Sequence, residues 1–164
     1  MSNEGLPKGF VTDPELVKAH QTALVKSGAT AFNTQAAVTV EVLARPNGLW
    51  TNAGVHKDKG YAMSVVFVSG SWKPNSLWTE SCGAAGNPKF PNAPASYLCP
   101  GRPEGCLVAK FDGDQNGGGS KAFEVGNFLV LAPDAVGDLW LSVNDEPRGF
   151  GDNTGSLTVS IGIA

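Results

Sequence analysis

The chain has 164 residues, 41% of them hydrophobic, which fits one domain with a real core and excludes a disordered chain. Charged residues make up 16% and the net charge is −3 with no basic stripe, so nucleic acid is not an expected partner. No apolar run is long enough to span a membrane, and 21 Gly with 11 Pro recur between short apolar runs, the composition of many strands joined by many turns.

The N-terminus, MSNEGLPKGF, lacks a basic region followed by an apolar one, so no conventional signal peptide is expected. This leaves a cytoplasmic location and export by a non-classical route both open. Residues 1–38 read as an extension. Thr12-Asp13-Pro14-Glu15 has the form of a capping box with proline in the first turn. Apolar residues then recur near helical spacing up to Gly28, which predicts one amphipathic helix over Pro14–Ser27. His20 falls inside it as a surface or packing residue without an evident partner.

From Ala37 the period changes. Val38, Val40 and Val42 alternate with Thr39 and Glu41, the pattern of a strand with one buried face. Pro46-Asn47-Gly48 and Lys57-Asp58-Lys59-Gly60 predict turns, and Tyr61–Ser69 is a β-branched run. Residues 70–106 read as a long connection, a length that usually signals function. Short strands follow at Leu107–Phe111, Ala122–Val125, Asn127–Ala132, Asp138–Val143 and Ser156–Ile163. Seven or eight short strands with regular turns predict an all-β sandwich over residues 39–164.

Cys82, Cys99 and Cys106 are an odd set, which argues against a full disulfide framework; a Cys99–Cys106 bridge stays open beside three free thiols. Zinc is disfavoured, because neither His20 nor His56 stands at ligand spacing from a cysteine. Asp112-Gly-Asp114-Gln-Asn116-Gly117 resembles the start of an EF-hand loop, but Phe123 stands at its twelfth position, so a hairpin turn is expected. Trp140 reads as core, while Trp50, Trp72 and Trp78 fall in or near loops. No nucleophile–base motif is visible and no enzyme is expected.

The loop Asn144–Gly155 carries the chemistry. Calcium takes six to eight oxygen ligands drawn from carboxylates, amides and main-chain carbonyls. Asp145 and Asp152 offer carboxylates, Asn153 offers an amide oxygen, and Gly149 and Gly151 allow the backbone to curl inward. A polar turn between two strands is the alternative reading of the same residues.

The chain's close, Leu141-Ser-Val-Asn-Asp145-Glu-Pro-Arg-Gly-Phe150-Gly-Asp-Asn-Thr-Gly155 followed by a strand ending Ile161-Gly162, resembles that of the LecA (PA-IL) galactophilic lectins. Val40–Ala44, Gly70-Ser71-Trp72-Lys73-Pro74 with Trp78, and Leu107–Lys110 follow the same family in order. The resemblance, over about residues 39–163, implies a jelly-roll-like, galactose-binding-domain-like sandwich, to which residues 1–38 add a short N-terminal helical extension. It implies one calcium ion held by side chains of Asp145, Asp152 and Asn153 and by the carbonyls of Trp72 and Gly149. Galactose-type saccharides or glycoconjugates would bind through a vicinal hydroxyl pair, with Asp145, Asp152, Trp72 and Glu146 against the sugar. Where the family has His-Pro, this chain has Phe90-Pro91 followed by Asn92, so these three become candidate sugar contacts and the preferred sugar stays open. A homo-oligomer is expected, since lectins recover affinity through multivalency. An accessory carbohydrate-binding module of a larger enzyme and a calcium-stabilised structural domain are the alternatives.

Overall fold

A computed structural model describes residues 5–164. Helix α1 spans Pro14–Lys26, and strands β1 (Ala36–Leu43), β2 (Thr51–Lys57), β3 (Met63–Lys73), β4 (Leu107–Phe111), β5 (Phe123–Glu124), β6 (Phe128–Leu131), β7 (Gly137–Val143) and β8 (Thr154–Ile163) follow. They form two four-stranded antiparallel sheets, ordered β1-β8-β3-β6 and β2-β7-β4-β5. The expected all-β sandwich is thus the observed architecture. Val65, Val159 and Ile161 from one sheet meet Leu107, Leu139 and Leu141 from the other in a single buried cluster that also takes in Phe10 and Phe150. Such packed apolar side chains each contribute roughly 1.5–3 kcal/mol.

The helix runs as its sequence predicts, with one change at its start. Asp13 is the N-cap, its Oδ1 accepting the Glu15 N–H at 2.9 Å, so the box built on Thr12 gives way to a cap one residue later. Proline at the first helical position explains the shift, because its fixed φ suits the residue after the cap. Gly28, at φ +93°, closes the helix.

α1 covers the outer face of the first sheet. His20, which the sequence left without a partner, is fully buried there: its Nδ1 lies 2.6 Å from Ser160 Oγ and its Nε2 2.6 Å from Ser64 Oγ. A neutral imidazole donates at one nitrogen and accepts at the other, so both serines are satisfied without a charge. Burial pushes the His20 pKa down to about 4. A Cβ on Gly162 would stand 2.5 Å from that ring, so glycine is what lets the imidazole reach the sheet.

Two strand assignments and one burial assignment change. β2 was not legible in the sequence, because Asn52, Gly54 and His56 interrupt its pattern and its register shifts between Asn52 and His56. β3 runs on to Lys73, since its pairing with β8 continues from Met63↔Ile163 to Lys73↔Thr154 across a shift at Phe67/Ser69. The long connection therefore begins at Pro74. Trp140 is half-buried on the outer face of the second sheet rather than in the core.

On that outer face Lys110 is 1% exposed, and its Nζ stands 5.0 Å from the Trp50 ring and 5.7 Å from the Trp140 ring. The ammonium donates to the carbonyls of Asp114, Gly117 and Gly118 at 2.8, 2.8 and 3.0 Å. The Gly-rich segment after β4 is thus the expected hairpin turn, with a bridge between Asp114 and Gly117, and a lysine fills its centre.

Candidate functional site

The β3·β8 pairing sets the site. Trp72 lies opposite Gly155, so the segment after β3 and the segment before β8 leave the sheet side by side. Gly155 has φ +91° and a Cβ there would stand 2.4 Å from the Ser71 carbonyl, so only glycine allows this approach. Between β7 and β8 the chain makes a 3-10 turn over Pro147–Asp152. Proline at its first position starts the turn. The curl expected from Gly149 and Gly151 therefore comes from the turn, and neither glycine has a left-handed φ.

Asp145 is 6% exposed. Its Oδ1 accepts the Glu146 N–H at 2.8 Å, and its Oδ2 is buried with no hydrogen-bond partner. Asn153 is 4% exposed, donates through Nδ2 to the Ala44 carbonyl at 2.8 Å, and likewise leaves its Oδ1 buried and unpartnered. Burying an acceptor without a donor costs about 1–3 kcal/mol, and a charged one more. Burial raises the Asp145 pKa to about 6; the Glu146 N–H and the Asn153 amide oppose that rise, while Asp152 and Glu104 add to it.

The other expected ligands are placed as follows. Asp152 is exposed, and its Oδ2 accepts the Ser76 N–H at 3.0 Å, which holds its pKa down. Gly149 borders the Asp145 carboxylate: a Cβ there would stand 3.4 Å from both its oxygens. Trp72 is fully buried, and its carbonyl accepts the Cys82 N–H at 2.9 Å while its indole donates to the Gly105 carbonyl at 2.7 Å. A carbonyl has two lone pairs, so Trp72 keeps one acceptor position. Among the described residues no three His, Cys, Asp or Glu side chains form a metal cluster. A cation here therefore relies on amide and main-chain oxygens beside its carboxylates, which is a donor set for a hard ion such as calcium.

The expected sugar contacts fall on the long connection and beside the loop. Phe90 is 41% exposed and stacks on Trp78 with ring centroids 5.7 Å apart and planes 6° from parallel. The two rings line a cleft of about 260 Å³ with Leu77, Asn87 and Lys89. Pro91 and Asn92 are exposed on the turn that follows. Glu146 is half-buried, and its Oε1 accepts from Arg148 at 3.1 Å.

Asn144 has a role that sequence reasoning missed. It is fully buried; its Oδ1 accepts the Cys99 N–H at 2.9 Å and its Nδ2 faces the carbonyls of Cys99, Arg102 and Pro103 at 2.9, 3.4 and 3.1 Å. The side chain thus clamps the long connection to the start of the candidate loop. An asparagine before a candidate ligand was the only sequence signal. Cys82, Cys99 and Cys106 are free thiols, and burial raises the pKa of each.

No protein-family profile matches the chain, and no curated protein does. Among solved structures, the EclA N-terminal domain, described as a PllA-like lectin, matches with a TM-score of 0.56 and 22% identity, over 77% of this chain and 95% of that one. That likeness shows a shared sandwich fold. No helix among the described residues is long and apolar enough to cross a membrane.

Proposed function

We propose that this protein is a calcium-dependent lectin of the LecA-like type, binding galactose-type saccharides or glycoconjugates at the loop between β7 and β8. The observation that carries the reading is the pair of buried acceptors without donors, Asp145 Oδ2 and Asn153 Oδ1. Each belongs to a side chain that the resemblance names as a ligand. Oxygens left bare in the interior are costly unless a cation or a donor meets them, and a calcium ion would meet both. The fold likeness to a PllA-like lectin supports the same class.

In this reading Asp145, Asp152 and Asn153 hold the ion, with the Gly149 carbonyl and the second lone pair of the Trp72 carbonyl. Bound calcium would supply open positions for two vicinal hydroxyl oxygens. The chain's own part is to accept hydrogen bonds from those hydroxyls at Asp145 and Asp152, with Glu146 at the edge and Phe90, Pro91 and Asn92 toward the rest of the sugar. In this reading the protein binds its ligand rather than transforming it. One such site binds weakly, and a homo-oligomer would raise its avidity. Phe128 and Val130, exposed on edge strand β6, offer an apolar surface for a second copy.

The test is retention on immobilised galactose with calcium and with chelator. Retention lost on chelation is the expected result, and chelator-insensitive retention, or none, sinks the proposal. Native mass of the intact protein decides the oligomer.

A further inference from the structure

A second cleft lies beside β2, and the loop between β7 and β8 takes no part in it. In register, Trp140 of β7 stands between Asn52 of β2 and Lys110 of β4 on the outer face of the second sheet. The turn after β4 folds over that face: the Gln115 carbonyl accepts the Leu49 and Trp50 N–H groups at 2.7 and 2.9 Å. Gly48 makes room for it, since a Cβ there would stand 2.8 Å from the same carbonyl. The cleft so formed measures about 350 Å³, and its lining includes Glu41, Asn47, Trp50, Asn52, Gln115 and Trp140. Trp140 is only half-buried, yet its Nε1 is buried and has no acceptor among the described residues. An indole N–H so placed usually finds a partner, and leaving it bare is costly. The amides round it have capacity to spare. Asn52 accepts the Gly54 N–H through Oδ1 at 2.9 Å, which leaves its Nδ2, and Asn47 and Gln115 are exposed.

We propose that this cleft is a second saccharide site, independent of calcium, which stacks the apolar face of an uncharged β-glucoside-type pyranose on Trp140. Such sites are concave and largely apolar, with a few polar groups that fix the ligand's orientation. A pyranose whose ring substituents are all equatorial turns only C–H bonds to its two faces, which suits an indole plane. Its hydroxyls lie round the rim and both donate and accept, as the amides of Asn47, Asn52 and Gln115 do. A hydroxyl oxygen at the edge of the cleft would give the Trp140 N–H its acceptor. The charges fit a neutral ligand. Lys110 holds its ammonium 5.0 Å from the Trp50 ring centroid and 5.7 Å from that of Trp140, so the rings already face a cation and do not favour a second. That ammonium is 1% exposed and donates to three carbonyls, so it is not free to pair with an anion. Galactose, whose O4 is axial, breaks one of the flat faces, so this cleft is not what would hold the protein on a galactose column.

The experiment is titration of cellobiose, in chelator, into the unmodified protein, Trp140→Phe and Gln115→Ala, followed by calorimetry and by the NMR signals of the indole N–H groups. The Trp140 signal, identified by its absence from Trp140→Phe, should move saturably with a dissociation constant on the order of 1 mM, as for a single weak site. By calorimetry each variant should bind about fivefold more weakly, the loss of one hydrogen bond. Both should melt within about 5 °C of the unmodified protein, which shows that they fold. No saturable movement of the Trp140 signal up to about 50 mM cellobiose, or equal binding by all three proteins, overturns the site. Binding that appears only when calcium is restored overturns it as well, because it then belongs to the loop between β7 and β8. Retention on galactose tests that loop alone, so either reading can fail without the other.

Discussion

Two loops of this protein are built from the same residues, Asp, Asn and Gly, and end in opposite electrostatic states. In the turn after β4, three main-chain carbonyls converge on the buried ammonium of Lys110, which the chain itself supplies. In the loop between β7 and β8, Asp145 Oδ2 and Asn153 Oδ1 are equally buried and have no donor. Loop composition does not separate the two. The difference is whether the fold delivers its own donor: Lys110 meets the turn after β4, and no side chain meets the two oxygens of the other loop.

Breaking the internal pairing should have the largest effect. Lys110→Met leaves three carbonyls without their charged donor and should cost about 3–4 kcal/mol, read from urea unfolding midpoints, with calcium affinity unchanged. Unchanged stability would mean that the ammonium is not what holds that turn.

His20 is a second internally satisfied group, and it should show in folding rather than binding. Its folded pKa, about 4, lies below the ordinary 6.5, so the unfolded chain binds the proton first. Its contribution is complete above pH 6.5 and is lost as pH falls toward 4, by about 3 kcal/mol at most. His20→Gln should flatten that part of the stability–pH curve; a slope equal to that of the unmodified protein would remove His20 as its source.

At the open loop the signs reverse. Asp145→Asn should lower calcium affinity by about 100-fold, which is about 2.7 kcal/mol, yet leave metal-free stability equal or about 1 kcal/mol higher, because a buried unpaired charge is gone. Calcium at 100 times its dissociation constant should stabilise the unmodified protein by about 2.7 kcal/mol and Asp145→Asn hardly at all, by thermal melting. Asn153→Ala should give the smallest change, about tenfold in calcium affinity by calorimetry. A larger loss of metal-free stability than Lys110→Met causes, in either loop variant, would erase the contrast between the loops.

The sandwich was legible because burial alternates where the sequence does: Val42 is buried between exposed Glu41 and Leu43 on β1. β2 was hidden by polar residues at its bulge, and Trp140 looked like core because an aromatic residue in a strand gives no sign of which face it takes. The candidate ligands were legible because Asp145, Asp152 and Asn153 lie close together in the chain. Partners far apart in sequence were not. Ser64 and Ser160 reach His20 from 44 and 140 positions away, and the closure of Cys99–Pro103 round Asn144 spans a separation of 45.

The Asn144 clamp grips main-chain atoms of Cys99, Arg102 and Pro103, and none of their side chains. A grip of that kind is indifferent to the identity of the residues it holds. The segment it secures can diversify during evolution, or be replaced by design, while its attachment to the loop between β7 and β8 stays constant. One asparagine would then separate what recognises a ligand from what anchors it.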